Sequence, residues 1–278
     1  MTEAIQRTLP TERDKLSVLL AIILASSTLF RFVELPNISW GIQSVLGSPL
    51  GFDFGGETLV VILIVGLVST GTLSILRDHP LRDKQERPLL YSLITPAVGS
   101  LLVSLLLIQA TSWMLWLVAL FLGGVAIGVL VHLSYQAFSP AGQFYPPART
   151  LLNIIDYLAG FVLFSMLLRE RGRALVTGPT VLLLSGLLAL ELLSASGAKL
   201  NGVLLYVGII ALAEGELAWV IGYWPVSSWT GATILSLGLY VGSGIGYQYL
   251  LERLTNRIVV EFASMSILVL ILVLWIRP

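Results

Sequence analysis

The stretch WMLWLVALFLGGVAIGVLVHLSY, Trp113–Tyr135, contains no Asp, Glu, Lys or Arg. As a helix it would extend for about 34 Å at 1.5 Å per residue, enough to cross a hydrocarbon core of about 30 Å. In hydrocarbon every backbone N–H and C=O needs an internal partner, so a run of this length reads as a membrane-spanning helix. The same absence of basic residues extends outward on both sides. Between Arg87 and Arg149, and again between Lys199 and Arg253, there is no Lys or Arg. The fold class that follows is all-α, a polytopic transmembrane helical bundle.

Nine segments meet the length criterion: Leu16–Phe32, Glu57–Leu76, Leu89–Gln109, Trp113–Tyr135, Leu151–Leu168, Gly178–Ser196, Leu200–Tyr223, Trp229–Gln248 and Ile258–Ile276. Eight or nine of them are expected to span, because Pro146–Pro147 or the segment Leu151–Leu168 could instead form a re-entrant piece. Residues 1–15 read as a cytoplasmic lead-in and not as a cleaved signal peptide. Residues 16–278 read as a single transmembrane helical domain, with an outer interfacial loop at 33–56 and a basic cytoplasmic loop at 77–88. The outer loop, with Trp40, Leu46 and Phe52 among Gly, Pro and Ser, reads as a lid or wedge at headgroup level, or as a plain connector.

Orientation follows the distribution of basic residues in short loops. With the N-terminus cytoplasmic, Arg7, Arg13, Lys15, Arg77, Arg82, Lys84, Arg87, Arg149, Lys199, Arg253 and Arg257 all fall inside. Arg169, Arg171 and Arg173 disagree with a nine-span scheme, in which their loop lies outside.

Composition removes several function classes. The 16 basic and 16 acidic residues cancel, so no nucleic-acid partner is expected. There is no cysteine, which removes disulfides, thiol catalysis and cysteine-based metal sites. The two histidines, His79 and His132, are far apart and form no ligand pair, and no metal site is expected. No histidine follows Ser243, so the string Gly242-Ser-Gly-Ile-Gly lacks the base that a serine nucleophile needs. No catalytic residue set emerges.

The informative residues are acids inside apolar runs, because a charge at the bilayer centre costs roughly 2.5–3.5 kcal/mol on insertion scales. There are five: Asp156, Glu191, Glu214, Glu216 and Glu261. Glu191 and Glu261 lie near helix ends, within reach of the interface. Glu214 and Glu216 lie deepest and point roughly 200° apart on a helix, so they cannot face one cavity. One is expected to face the bundle interior and the other a neighbouring helix. Glu216, Trp219 and Tyr223 share a helical face and could line a pocket, which makes Glu216 the functional candidate of the two. With no basic residue at that depth, a protonated carboxyl bonded to a hydroxyl or carbonyl is the cheapest state. Hairpin geometry places Ser236 level with Glu214 and Glu216, and Ser243 level with Glu261. Each acid can be read as a hydrogen-bond staple between helices or as a group that works in transport.

Asn153, Asp156, Tyr157 and Gly160 form a polar stripe suited to interhelical hydrogen bonds. Gly238, Gly242 and Gly246 repeat every fourth residue, a spacing that lets helix backbones approach closely, and are expected to make the tightest helix contact in the protein. His132, with Gly128 one turn before it, leaves room for a flat macrocycle, although a lone histidine at a helix end has an ordinary structural reading. No cofactor is expected on the remaining residues, and a pigment or a lipid stays open.

Three stretches carry a resemblance: Arg149-Thr-Leu-Leu-Asn153-Ile-Ile-Asp-Tyr157, Gly186-Leu-Leu-Ala-Leu-Glu191-Leu-Leu, and Glu216-Leu-Ala-Trp219-Val-Ile-Gly-Tyr223-Trp-Pro225. Together they resemble an uncharacterised domain-of-unknown-function family of multi-pass bacterial membrane proteins, associated with filamentous phototrophs and their relatives. The resemblance implies a bacterial inner membrane and no particular activity. The functional expectation is a non-enzymatic subunit, scaffold or assembly factor of a larger membrane complex. Its partners would be the lipid bilayer and other membrane subunits or further copies of itself. The alternatives are a permease or lipid carrier, proton-linked through a buried Glu, and a lipid-modifying membrane enzyme.

Overall fold

Apolar residues on long, nearly charge-free runs form helices throughout the computed structural model, which describes residues 2–32, 38–45, 48–82, 88–140, 142–170 and 174–275. Leu46, Lys84, Arg87, Arg171 and Arg173 lie outside these residues. Nine α-helices are present among the described residues: α1 (Thr2–Phe32), α2 (Gly56–Arg77), α3 (Ile94–Ile108), α4 (Trp113–Gln136), α5 (Tyr145–Arg169), α6 (Ala174–Ser194), α7 (Leu200–Tyr223), α8 (Ser228–Leu250) and α9 (Asn256–Trp275). Six of the helical segments are long and apolar enough to cross a membrane: α2, α3 with the 3₁₀ turn before it, α4, α5, α6 from Val176, and α7. The chain is an integral membrane protein.

One expectation changes here. The outer segment carries an antiparallel hairpin, β1 (Ile38–Val45) and β2 (Ser48–Phe54), where an irregular loop is expected. Its register sets Ile38 opposite Phe54, Trp40 opposite Phe52 and Ile42 opposite Leu50. The period-two alternation of these residues is a strand signature that a search for helical runs passes over. The chain forms two compact units, Met1–Arg149 and Thr150–Pro278.

In the first unit, Leu19 and Ile23 of α1, Ile64, Val68 and Ile75 of α2, and Ile127 and Val131 of α4 form one buried apolar cluster. Their spacings of four and seven place each set on one helix face. α1 begins at Thr2, so the lead-in and the first apolar run are one continuous helix. α4 starts at Ser112, whose Oγ accepts from the Leu115 N–H at 3.2 Å. At that end Arg31 lies 5.8 Å from the Trp113 ring centroid, a cation–π pair typical of an interface. At the opposite end Lys15 and Asp78 form an ion pair. Beside them the His79 ring is packed edge-on to Tyr135 at 4.5 Å and against Phe138 at 4.9 Å, and its Nδ1 accepts from the Leu81 N–H at 3.1 Å. Burial among these rings lowers the His79 pKa below 6.5.

The second unit is built from α5 to α9. α5 is one continuous helix with Pro146 and Pro147 in its first turn, where a missing N–H costs nothing. The connections α6–α7 and α7–α8 are short, so α6, α7 and α8 run alternately up and down. α6 is closed by Gly197 at φ 70, a left-handed position that glycine adopts without strain. Ser227 caps α8, accepting from the Thr230 N–H at 3.2 Å.

The closest backbone approach in this unit is between α6 and α7. A Cβ built on Gly215 would lie 3.1 Å from Leu182 Cβ and 3.4 Å from the Gly178 carbonyl oxygen, and one on Gly186 would lie 3.3 Å from Ala211 Cβ. The expectation that α8 makes the tightest contact is corrected on this point. Small residues on both α6 and α7 bring those backbones together, whereas the α8 glycines face larger side chains.

Candidate functional site

The three α8 glycines do face one way. Gly238 lies against Glu214 of α7, Gly242 against Ile210 of α7 at 3.1 Å from a built Cβ, and Gly246 against Leu193 of α6 at 3.3 Å. The pairs 238/214 and 242/210 are one antiparallel register, one turn apart. Gly244 points elsewhere, into the ring of Phe262 on α9.

Glu214 is the centre of this arrangement. It is 3 % exposed, and its carboxyl fills the notch that Gly238 leaves, with a built Cβ only 3.2 Å from its Cδ. Its Oε2 has no hydrogen-bond partner among the described residues. Ser236, the expected partner, does not reach it, and the Ser236 Oγ is likewise buried without one. The staple therefore has a shape-matched socket but no hydroxyl. α7 is 24 residues long and Glu214 lies about 21 Å from its start, close to the middle of the span.

Around this centre the other candidates separate into inward and outward sets. Asp156 and Glu191 are buried, at 1 % and 3 %. For Glu191 this corrects the expectation that a carboxyl near a helix end reaches the interface. Tyr157 and Ser243 hold α5 to α8 with hydroxyls 2.8 Å apart, and Ser243 donates to the Leu239 carbonyl. Ser243 has one proton, so Tyr157 is the donor in the pair. Tyr157 also meets the Tyr240 ring at 5.8 Å, and Tyr240 meets Phe262 at 5.1 Å, an aromatic file from α5 through α8 to α9. Asn153 is partly buried, one turn before Asp156 and Tyr157 on α5, and its Oδ1 has no partner among the described residues. Gly160, in the same stripe, is close to Leu188 and Leu239.

Glu261 is exposed on α9 and pairs with Arg257 at 3.1 Å, so the level match with Ser243 brings no contact. Glu216, Trp219 and Tyr223 share a face as expected, but the face is an outer one. All three are exposed, Tyr223 at 83 %, and Trp219 leans on the Gly178 notch of α6. The three therefore lie on an open face of α7. Glu214, one of the two acids considered together, takes the inward position.

His132 is exposed near the end of α4, 3.4 Å from the Gln136 amide nitrogen. The Gly128 notch beside it is filled by Leu20, whose Cδ1 would be 3.1 Å from a built Cβ. Among the described residues no group of three or more His, Cys, Asp or Glu side chains is placed to hold a metal ion.

A family model described as "Protein of unknown function (DUF5656)" matches residues 37–276, which include every candidate residue above. No curated protein and no solved structure matches the chain.

Proposed function

We propose, since the chain belongs to the DUF5656 family, that this family member is a non-enzymatic subunit, scaffold or assembly factor of a larger complex in a bacterial cytoplasmic membrane. One observation carries the reading. Glu216 is an exposed carboxyl at hydrocarbon depth on the outer face of α7, where lipid tails offer it nothing. A group of that kind is stable in a bilayer when another polypeptide covers it.

The proposal includes eight or nine spans with the N-terminus cytoplasmic. The lengths of α1, α8 and α9, at 31, 23 and 20 residues, support adding them to the six candidate spans. The basic residues gathered at the Lys15–Asp78 end of the first unit support the orientation.

The test is particle size from native membranes. Extracted in a mild detergent, the chain should run as a particle whose protein mass exceeds 30.1 kDa and contains a second polypeptide in fixed ratio. A lone chain, or copies of this chain alone, would refute the reading.

Glu214 favours a second reading, a proton-linked permease or lipid carrier. A buried carboxyl with an unpartnered oxygen at mid-span is a group able to take up and release a proton. In proteoliposomes under an imposed potential, this reading expects proton flux that Glu214→Gln abolishes with the fold intact. A staple gives no flux in either form.

A further inference from the structure

The outer face of α7 is a continuous stripe. At 100° per residue, Gly208, Trp219, Leu212, Tyr223, Glu216, Ile209, Val220 and Ala213 succeed one another around about 140° of the helix. All but Gly208 are exposed, and a Cβ on Gly208 would meet nothing within 4 Å. Glu216 is near the centre of the stripe and is its one charged residue.

Glu216 cannot easily escape to water. It lies seven residues before the end of the 24-residue α7, about 10 Å from that end and about 7 Å inside a centred 30 Å hydrocarbon layer. Helical side chains lean toward the N-terminus, here toward the membrane centre and away from the nearer surface. Nor can the chain supply a cation at that depth. Lys and Arg are absent between Lys199 and Arg253 and between Arg87 and Arg149, and those beyond these gaps lie in loops, at helix ends or in the polar first half of α1. The small residues Gly208 and Ala213 at the edges of the stripe would let another helix come close.

We infer that this stripe docks a transmembrane helix of a different polypeptide, and that the docked helix carries a Lys or Arg side chain which pairs with Glu216. Apolar contacts along Ile209, Leu212 and Val220 supply packing area, and Trp219, braced on Gly178, gives the groove a fixed wall. The acid–base pair sets depth and register, because a shift of one turn would leave both charges in lipid. The inference rests on the subunit reading above and specifies its partner.

The test uses the full chain in phosphatidylcholine vesicles with synthetic polyleucine transmembrane peptides bearing one central Lys, Gln or Leu. The chain has no native cysteine, so a donor dye at Asn201→Cys reports energy transfer to a labelled peptide. The Lys peptide should bind about tenfold more tightly than the Gln peptide, the order expected for one polar pair in hydrocarbon. Glu216→Gln should remove that preference, and Glu214→Gln, at an inward site, should keep it. Equal binding of Lys and Gln peptides, or a preference that survives Glu216→Gln, would overturn the inference. So would transfer between two labelled copies without peptide that Glu216→Gln abolishes, which makes a second copy the occupant. The two readings fail separately. A heavy native particle with no Lys preference leaves the subunit role and removes this stripe from it, whereas a lone native chain removes the role whatever the peptides do.

Discussion

Tyr157 donates to Ser243 across 2.8 Å, joining two helices whose contact residues are 86 positions apart in the chain. Ser243 in turn donates a hydrogen bond to the Leu239 carbonyl, so the two bonds form a short chain that ends on the α8 backbone. Tyr157→Phe removes only the outer bond and should destabilise by about 0.5–1.5 kcal/mol. Ser243→Ala removes both this bond and the one to Leu239 from a buried position and should cost more, about 1–3 kcal/mol. Unfolding in mixed micelles measures both, and a larger loss for Tyr157→Phe would contradict the direction of donation.

Gly238→Ala places a methyl group where the Glu214 carboxyl sits, and the side chain must move. Overpacking of this kind costs about 1–3 kcal/mol. Glu214→Ala vacates the space, so the double variant should be more stable than the sum of the single changes predicts. Additivity within about 0.5 kcal/mol would mean the two residues do not share that space.

Glu252, at φ 56, closes α8 in the left-handed region, and the Arg253 N–H beyond it donates to the Gln248 carbonyl at 3.0 Å. A side chain in this conformation costs on the order of 1 kcal/mol. Glu252→Gly should recover roughly that amount, and Glu252→Ala should recover none. Thermal unfolding of the three forms decides, and equal midpoints would show that the turn is not strained.

His79 gives the first unit a pH dependence of defined sign. Its pKa is lowered in the folded protein from 6.5 by burial, so the unfolded chain binds the proton more readily. Stability is complete above about 6.5. It falls as pH drops from there through the lowered folded value, where a proton on Nδ1 displaces the Leu81 N–H bond. His79→Phe should flatten this part of the profile. A profile between pH 7 and 5 that is unchanged in His79→Phe would assign the dependence to other groups.

Single cysteines at the exposed positions Thr111 and Lys199 probe orientation without interference from native thiols. With the N-terminus cytoplasmic, an impermeant maleimide outside the cell should label Thr111→Cys and spare Lys199→Cys. The reverse pattern would invert every span.

Helices, their short connections and the opposed directions of Glu214 and Glu216 are legible from composition and the 100° repeat. Which acid turns inward is not. That depends on Gly238, a residue on another helix whose missing side chain makes the socket, and periodicity within α7 carries no trace of it. Level matching by rise per residue came within one turn for Ser236 and Gly238 but could not choose between them, because adjacent α8 residues point in different directions. The same limit applies to Ser243. Its height suggests Glu261, and its direction gives Tyr157 on α5. The hairpin at Ile38–Phe54 carries a period-two alternation, but the Gly, Pro and Ser set among those residues mask it as a loop.

The order of packing in the second unit has a consequence for biosynthesis. α6 lies on α7, α7 on α8, and α8 on α9 through Phe262, so α7, α8 and α9 each meet a neighbour already in the bilayer as they leave the insertion machinery. The Glu214 carboxyl is the exception in timing. It enters with α7, and its socket on Gly238 is not made until α8 arrives, so a ribosome stalled between these two helices leaves that acid uncovered. The interval between them is where holding factors and quality-control proteases would act on this protein.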